Sequence, residues 1–385
     1  MSRVLISAAH KSSGKTTVSI GLCAALRNRG VIVQPFKKGP DYIDPMWLST
    51  ASGRTCRNLD FYLMNGEEIV GEFVRHSVGA DFNLIEGNKG LYDGLNLDGS
   101  NSNAALAQLL QAPVVLVLDA RGMTRGIAPL ILGYQAFDRN IRIAGVILNK
   151  LGGARHESKL RAVIEHYTDV QVIGAVHSNP QLEIVERHLG LVPSNEADAA
   201  LRRTDVIGQL VGEQVDLERL LEIGRSAPPV TQINTPPAET FIPPDQPKVK
   251  IGLVRDRAFG FYYADDLDAL EAAGAELVLI DAVHDASFPQ VDGLFIGGGF
   301  PELLMDELEA NRSMREQIRA AIEGGLPAYA ECGGLMYLAR SLTWHGKTCR
   351  MAGVIPGDVV MHDKPVGRGY VRLRETAVHP WPSAE

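Results

Sequence analysis

The chain has 385 residues, more than one compact core comfortably holds, and a composition of 45% hydrophobic and 22% charged residues that fits globular folding. Its net charge of −8 leaves no basic footprint for nucleic acid. The longest apolar run, Ala112 to Leu118, is too short to span a bilayer, and the four scattered cysteines have no C-x-x-C spacing, which argues against a disulfide framework and a zinc site. The N-terminus runs straight into a strand, with no signal-peptide pattern, so a reduced cytoplasmic setting is expected.

The first predicted strand, Arg3 to Ser7, leads into Ala8-Ala9-His10-Lys11-Ser12-Ser13-Gly14-Lys15-Thr16-Thr17. A helical pattern follows, with Val18, Leu22, Ala25 and Leu26 on one face and Gly30 as its C-cap. Strand, tight loop, Gly-Lys-Thr and helix together predict a phosphate-binding loop. Backbone N–H groups and the helix N-terminus offer positive potential to phosphate oxygens. Lys15 is expected to reach the terminal phosphates, and the Thr16 hydroxyl to ligate Mg²⁺. The usual opening glycine is absent, with Ala8 and Ala9 in its place. Lys11 is a second lysine in the loop, either a phosphate contact or a solvated side chain.

Further strands are predicted at Val31–Phe36, Asn83–Ile85, Val114–Asp119, Ile143–Leu148 and Val170–Ala175, alternating with helical patterns. That rhythm predicts a parallel sheet covered on both faces, with ligands at the strands' carboxyl ends. After the first of these comes Lys37-Lys38-Gly39-Pro40-Asp41-Tyr42-Ile43-Asp44-Pro45, a rigid loop with two lysines for anions and two aspartates for Mg²⁺ or a nucleophile. Asn83–Ile85 runs into Glu86-Gly87-Asn88-Lys89-Gly90-Leu91-Tyr92-Asp93-Gly94. A carboxylate at a buried strand end suits the second metal-binding acid. Glu86 ranks ahead of Asp119 because glycines that permit close backbone approach follow it. Asn149, after Ile143–Leu148, is either an adenine reader or a turn residue.

Ala227 to Pro247 is proline-rich and reads as a semi-rigid linker. The boundaries expected are 1–224 for the nucleotide-binding domain, 225–247 for the linker and 248–385 for a second α/β domain. In that domain, strands are predicted at Lys248–Val254, Glu276–Ile280, Gly293–Ile296 and Leu326–Ala330, with a helix over Tyr263–Ala273. Gly297-Gly298-Gly299 offers free N–H groups of the kind an oxyanion hole needs. Glu331-Cys332-Gly333-Gly334 at a strand-to-helix turn predicts a nucleophile elbow, with a thiol whose pKa is lowered by the helix N-terminus. Cys23 and Cys349 read as core residues. None of the later histidines, His345, His362 and His379, sits in a setting that marks it as the partner base.

Several long motifs resemble one family, the cobyrinic acid a,c-diamide synthases. They are Lys38-Gly39-Pro40-Asp41-Tyr42-Ile43-Asp44-Pro45, Asn58-Leu59-Asp60, Glu86-Gly87 with Gly90 to Gly94, Arg187-His188-Leu189-Gly190-Leu191, Phe261-Tyr262-Tyr263, Gly297 to Glu302 and Ala330 to Leu338. The resemblance implies a P-loop, dethiobiotin-synthetase-like parallel sheet followed by a class I glutamine amidotransferase domain. It implies ATP and Mg²⁺ as cofactors, and glutamine and a tetrapyrrole as small-molecule partners, with no nucleic acid or membrane partner; a homodimer stays open. A tetrapyrrole carboxylate would be phosphorylated and then amidated by ammonia released at Cys332. By the same resemblance, Gly14, Lys15, Thr16, Thr17, Lys11 and Asn149 bind nucleotide. Thr16, Asp41 and Glu86 hold metal, Asp44 and Lys15 are catalytic, Asp44 close to the reacting carboxylate and Lys15 on phosphate, and Gly298, Gly299 and Gly333 serve the glutamine oxyanion.

Two departures stand out. The family's His-bearing segment beyond Gly369-Tyr370 is missing, so the amidotransferase domain is expected to be C-terminally incomplete, or ammonia to be the working donor. The loops His10 to Ser13 and Asn88-Lys89 also resemble a branch from sulfur-oxidising bacteria, thought to amidate sirohaem or its precursor, which stays open as a substrate. A partition-type ATPase switch is the alternative from another class; the fused Cys332 domain argues against it.

Overall fold

The computed structural model describes residues 1–184, 186–187, 190–191, 200–230, 249–362, 366 and 374. The proline-rich linker from residue 231 on, His188, Leu189, Gly369, Tyr370 and His379 lie outside the described residues.

The first half is built on seven parallel strands: β1 (Arg3–Ala8), β2 (Val33–Lys38), β3 (Arg57–Leu59), β4 (Phe82–Glu86), β5 (Val114–Asp119), β6 (Ile143–Leu151) and β7 (Val172–His177). Their order is β3-β2-β4-β1-β5-β6-β7. β1 is buried at every position, as a central strand between two helical layers must be. One face packs under α1 (Lys15–Asn28), α2 (Ile43–Ser52), α7 (Ala200–Gly212) and α8 (Leu217–Arg225), through side chains such as Leu22, Trp47, Val211 and Leu220. The other packs under α3 (Gly66–His76), α4 (Asn103–Leu109), α5 (Ile127–Phe137) and α6 (Ala154–Tyr167), through Phe73, Leu106, Ile131 and Leu160. A short hairpin, β8 (Glu186–Arg187) with β9 (Gly190–Leu191), follows β7.

The second half has a parallel sheet of order β12-β10-β13-β15, made of β10 (Val249–Val254), β12 (Ala275–Ile280), β13 (Gly293–Ile296) and β15 (Ala328–Ala330). Helices α9 (Ala264–Ala272), α10 (Met305–Ala310), α11 (Arg312–Glu323) and α12 (Gly333–Leu338) accompany it. The pair β11 (Phe259–Phe261) with β14 (Gly298–Gly299), and a three-stranded sheet of β16 (Ala339–Trp344), β17 (Lys347–Arg350) and β18 (Ile355–Val360), complete it. The first sheet is parallel, as the alternating pattern predicts, and the second sheet is parallel too. β3, β11 and β14 are too short to show a periodicity, and the sheet that follows α12 has no counterpart among the predicted strands.

Candidate active site

The loop between β1 and α1 is shaped by its glycine and by β6. Gly14 has φ 82, and a Cβ there would lie 2.1 Å from Asn149 Nδ2. Asn149 Nδ2 donates to Ser13 O at 2.8 Å, and Lys150 Nζ to Ser12 O at 2.6 Å. The carboxyl end of β6 therefore holds the loop in shape, and one N–H of the Asn149 amide is already in use. Lys11 is exposed at the loop's rim, and Thr17 lies half-buried in the first turn of α1.

A compact charge cluster faces this loop. Lys15 Nζ is 2.8 Å from Glu86 Oε1, and Thr16 Oγ1 donates to the same oxygen at 2.7 Å and to Asp44 Oδ2 at 3.1 Å. Lys37 Nζ is 2.5 Å from Asp44 Oδ2 and 3.2 Å from Glu86 Oε1. Sheet register brings these together, because Lys37 on β2 pairs directly with Glu86 on β4. Burial lowers the Lys37 pKa most, but Asp44, Glu86 and Asp41 together outweigh it and hold the pKa above the usual lysine value. Lys38 lacks such compensation. Burial pushes its pKa down to about 8, Asp60 opposing and Lys89 and Lys37 adding to the fall.

Asp41 and Asp44, the two aspartates of the loop before α2, are held differently. Asp41 Oδ1 accepts from the N–H groups of Ile43 and Asp44, both at 3.0 Å, and Oδ2 stands 3.8 Å from Lys37 Nζ. Asp41 caps the start of α2, and the carboxylate beside Thr16 is that of Asp44. Glu86 ends β4 inside this cluster. It is fully buried, and its Oε2 has no hydrogen-bond partner among the described residues. An orphaned carboxylate oxygen next to a threonine hydroxyl fits a hard divalent cation such as Mg²⁺. In sequence Lys37 is only one member of a charged run; its contact with Glu86 needs the fold.

The second centre is the turn between β15 and α12. Cys332 has φ 49 and ψ −113, a conformation rarely held by a residue with a side chain. The turn fits because Gly334 is bare: a Cβ there would lie 2.2 Å from Ile296 O. Cys332 is exposed, whereas Cys23, Cys56 and Cys349 are buried. The N–H groups of Gly333 and Gly299 point at its sulfur. Gly298 backs the side chain, its own Cβ position 3.4 Å from Cys332 Cβ. The Gly297 N–H is taken by Tyr262 Oη at 2.9 Å. Of the three glycines expected at an oxyanion site, Gly299 and Gly333 thus direct N–H groups at the sulfur, and Gly298 stands behind the side chain.

The expected lowering of the thiol pKa is not found. Walls of protein around the sulfur push the pKa up, and the two N–H groups only partly offset this, with Glu302 and Glu331 adding to the rise. These strongest influences include no histidine. His345 sits at φ 46 between β16 and β17, against Trp344.

The two centres meet at Tyr42, two residues before Asp44. Its ring stacks on Phe261 at 5.5 Å and 4°, and lies 4.4 Å from Tyr263. Its phenol pKa is raised by burial first, with the Tyr263 hydrogen bond opposing and charges at Glu331, Asp266 and Cys332 adding to it.

Both halves of the chain are similar to known proteins. Residues 5–192 match a family model described as the CobQ/CobB/MinD/ParA nucleotide binding domain, and residues 250–380 one described as the CobB/CobQ-like glutamine amidotransferase domain. The chain is 46% identical over 386 residues to a cobyrinate a,c-diamide synthase of Magnetococcus marinus, covering 100% of this chain and 82% of the relative. Relatives of the same name from Methanosarcina acetivorans and Methanosarcina barkeri are 46% and 45% identical, each over 93% of this chain and 77% of the relative. Among the described residues no helix is long and apolar enough to cross a membrane.

Proposed function

The chain belongs to the cobyrinate a,c-diamide synthase family, and from that premise we propose that it amidates the a and c acetate carboxylates of a cobyrinic-acid-type tetrapyrrole through an acyl phosphate. It is a glutamine-using amidoligase, with the ligase chemistry assigned to residues 1–224 and the glutaminase chemistry to residues 248–385. ATP is the phosphoryl donor. The loop N–H groups, Lys15 and Lys37 bind the phosphate oxygens, and Asn149, at the loop's side, keeps one amide N–H for the adenine ring. Glu86 and Thr16, with Asp44 beside them, would hold a Mg²⁺ ion, which supplies charge neutralisation to the phosphates when bound. Asp44 orients the substrate carboxylate through Lys37 and Thr16. The carboxylate oxygen attacks the terminal phosphorus, and ADP leaves.

At the second centre the Cys332 thiolate attacks the glutamine side-chain carbonyl. Gly299 and Gly333 donate to the oxygen as it gains charge, and as the C–N bond breaks the nitrogen takes up the proton the thiol gave up and departs as ammonia. Hydrolysis of the thioester gives glutamate. Ammonia attacks the acyl carbon and phosphate leaves, so each OH becomes NH₂.

One observation carries this reading. The Lys15, Lys37, Thr16, Asp44 and Glu86 cluster adjoins the loop that carries Tyr42, and Tyr42 stacks on Phe261, which pairs with Gly298 behind Cys332. The test is mass spectrometry of reactions containing ATP and Mg²⁺, with glutamine or ammonium, offered cobyrinic acid beside sirohydrochlorin and sirohaem. Each amidation lowers the mass by about one unit as the activated carboxylate is converted. Two steps on cobyrinic acid are expected. Product from the sirohaem series alone would reassign the substrate, and ATP hydrolysis with no amide would favour a switch.

A further inference from the structure

Helix α9 buries no residue of its own in the core, yet it sits against the edge of the first sheet through charge. Arg57, at the start of β3, places Nη1 2.7 Å from Asp265 Oδ1 and 2.6 Å from Asp268 Oδ2. His76, at the end of α3, directs Nε2 to Glu72 Oε2 at 3.1 Å and to Asp265 Oδ1 at 3.5 Å. The side chains of Arg57, His76 and Asp265 are 11%, 17% and 21% exposed, so solvent screens this contact far less than an ordinary surface pair. Burial would raise the Asp265 pKa, but hydrogen bonds from His76 and Arg57 outweigh it and hold the carboxyl below its ordinary range.

Glu72, His76 and Asp265 also bring three ligand atoms within 4.8 Å of one another, a spacing a metal ion could use. Cations already occupy those carboxylates: Arg57 on Asp265 and Arg75 on Glu72. Both Glu72 oxygens are taken, by Arg75 and His76, whereas Glu86 keeps an unpartnered Oε2 among the described residues, so the cluster is an ion-pair clasp.

The position of the clasp gives it a consequence. Asp265 lies two residues after Tyr263, the ring that meets Tyr42. Tyr42 in turn lies two residues before Asp44 and stacks on Phe261, which pairs with Gly298, the glycine behind Cys332. We infer that the Arg57–Asp265 clasp is a positioning device that keeps the glutaminase centre in register with the phosphorylating centre, so that ammonia released at one is captured at the other. The inference rests on the amidoligase reading above for its chemistry, and on the contacts alone for its geometry.

The full-length Arg57→Asp variant and the Arg57→Asp/Asp265→Arg double variant test it. In the single variant, glutamate released per amide formed is expected to rise on the order of tenfold, while amidation driven by ammonium stays near the native rate. The double variant is expected to recover much of the coupling. Equal losses with both donors, or an unchanged ratio, would overturn the inference, as would a ratio that zinc or magnesium shifts in native protein but not in Glu72→Gln. Small-angle scattering reads the clasp without any turnover: the maximum dimension is expected to grow in the single variant and return in the double. Unchanged scattering would sink the clasp. Absence of amide from native protein with either donor would instead sink the amidoligase reading.

Discussion

The ammonium of Lys37 stands 2.5 Å from the carboxylate of Asp44, with 2% of the lysine side chain exposed. It is the innermost cation of a site with three carboxylates, Asp41, Asp44 and Glu86, around it. Lys37→Met leaves those carboxylates facing one another. Amidation is expected to fall roughly 10²–10³-fold with glutamine and ammonium alike, as when a preorganised charge contact is removed. Stability should drop by about 3–5 kcal/mol, because buried charge is left uncompensated. Thermal melts check the second point: Mg²⁺ should raise the melting temperature of the variant more than that of the native protein. A native amidation rate in the variant would remove Lys37 from the site.

Glu86 offers the orphaned oxygen, Oε2. Glu86→Gln keeps its shape and removes the charge. The Mg²⁺ concentration for half-maximal ATP turnover should rise on the order of tenfold or more, since affinity follows ligand charge. A magnesium titration of ATP hydrolysis at saturating nucleotide reads this directly. An unchanged midpoint would place the ion elsewhere.

Cys332 is accessible as a residue, yet protein packed around its sulfur outweighs the Gly333 and Gly299 N–H groups and lifts its pKa above the ordinary value. A raised pKa means less thiolate at neutral pH. Alkylation of Cys332 by iodoacetamide should therefore climb with pH along a curve whose midpoint exceeds that of a free cysteine. A midpoint below the free thiol would contradict the burial argument. Cys332→Ser should abolish amidation with glutamine and leave that with ammonium near native.

Gly299 has no room for a side chain, since a Cβ there would stand 1.9 Å from Ala258 O. Gly299→Ala must push β11 and β14 apart and swing a donor away from the thiol. Glutamine-driven turnover should fall about 10²-fold or more, with a stability loss of about 1–3 kcal/mol from overpacking. Ammonium-driven turnover is the control, and a matching loss there would mean that the damage had spread beyond the elbow.

The parts of the site written in consecutive residues are legible in the chain itself. Strand, loop, Gly14-Lys15-Thr16 and helix specify a phosphate loop because each piece constrains its neighbour. Cys332 between Ala330 and Gly334 specifies an elbow for the same reason. What depends on register or burial is not legible there. Asp41 and Asp44 are three residues apart in one loop, and only the start of α2 decides which one caps the helix and which one faces Thr16. Lys37 meets Glu86 because β2 and β4 pair in one register, and no local pattern encodes that. The Cys332 pKa follows the walls around the sulfur, which belong to distant strands.

Tyr42 belongs by sequence to the nucleotide-binding half and by contact to both halves, its ring against Phe261 and Tyr263. The two halves are therefore not interchangeable cartridges. A chimera that joins this first half to another amidotransferase at residue 248 would carry a tyrosine shaped for rings it no longer meets. Recombination would have to exchange the loop 39–45 together with Phe261 and Tyr263, so these segments form one unit of inheritance although more than two hundred residues of chain separate them.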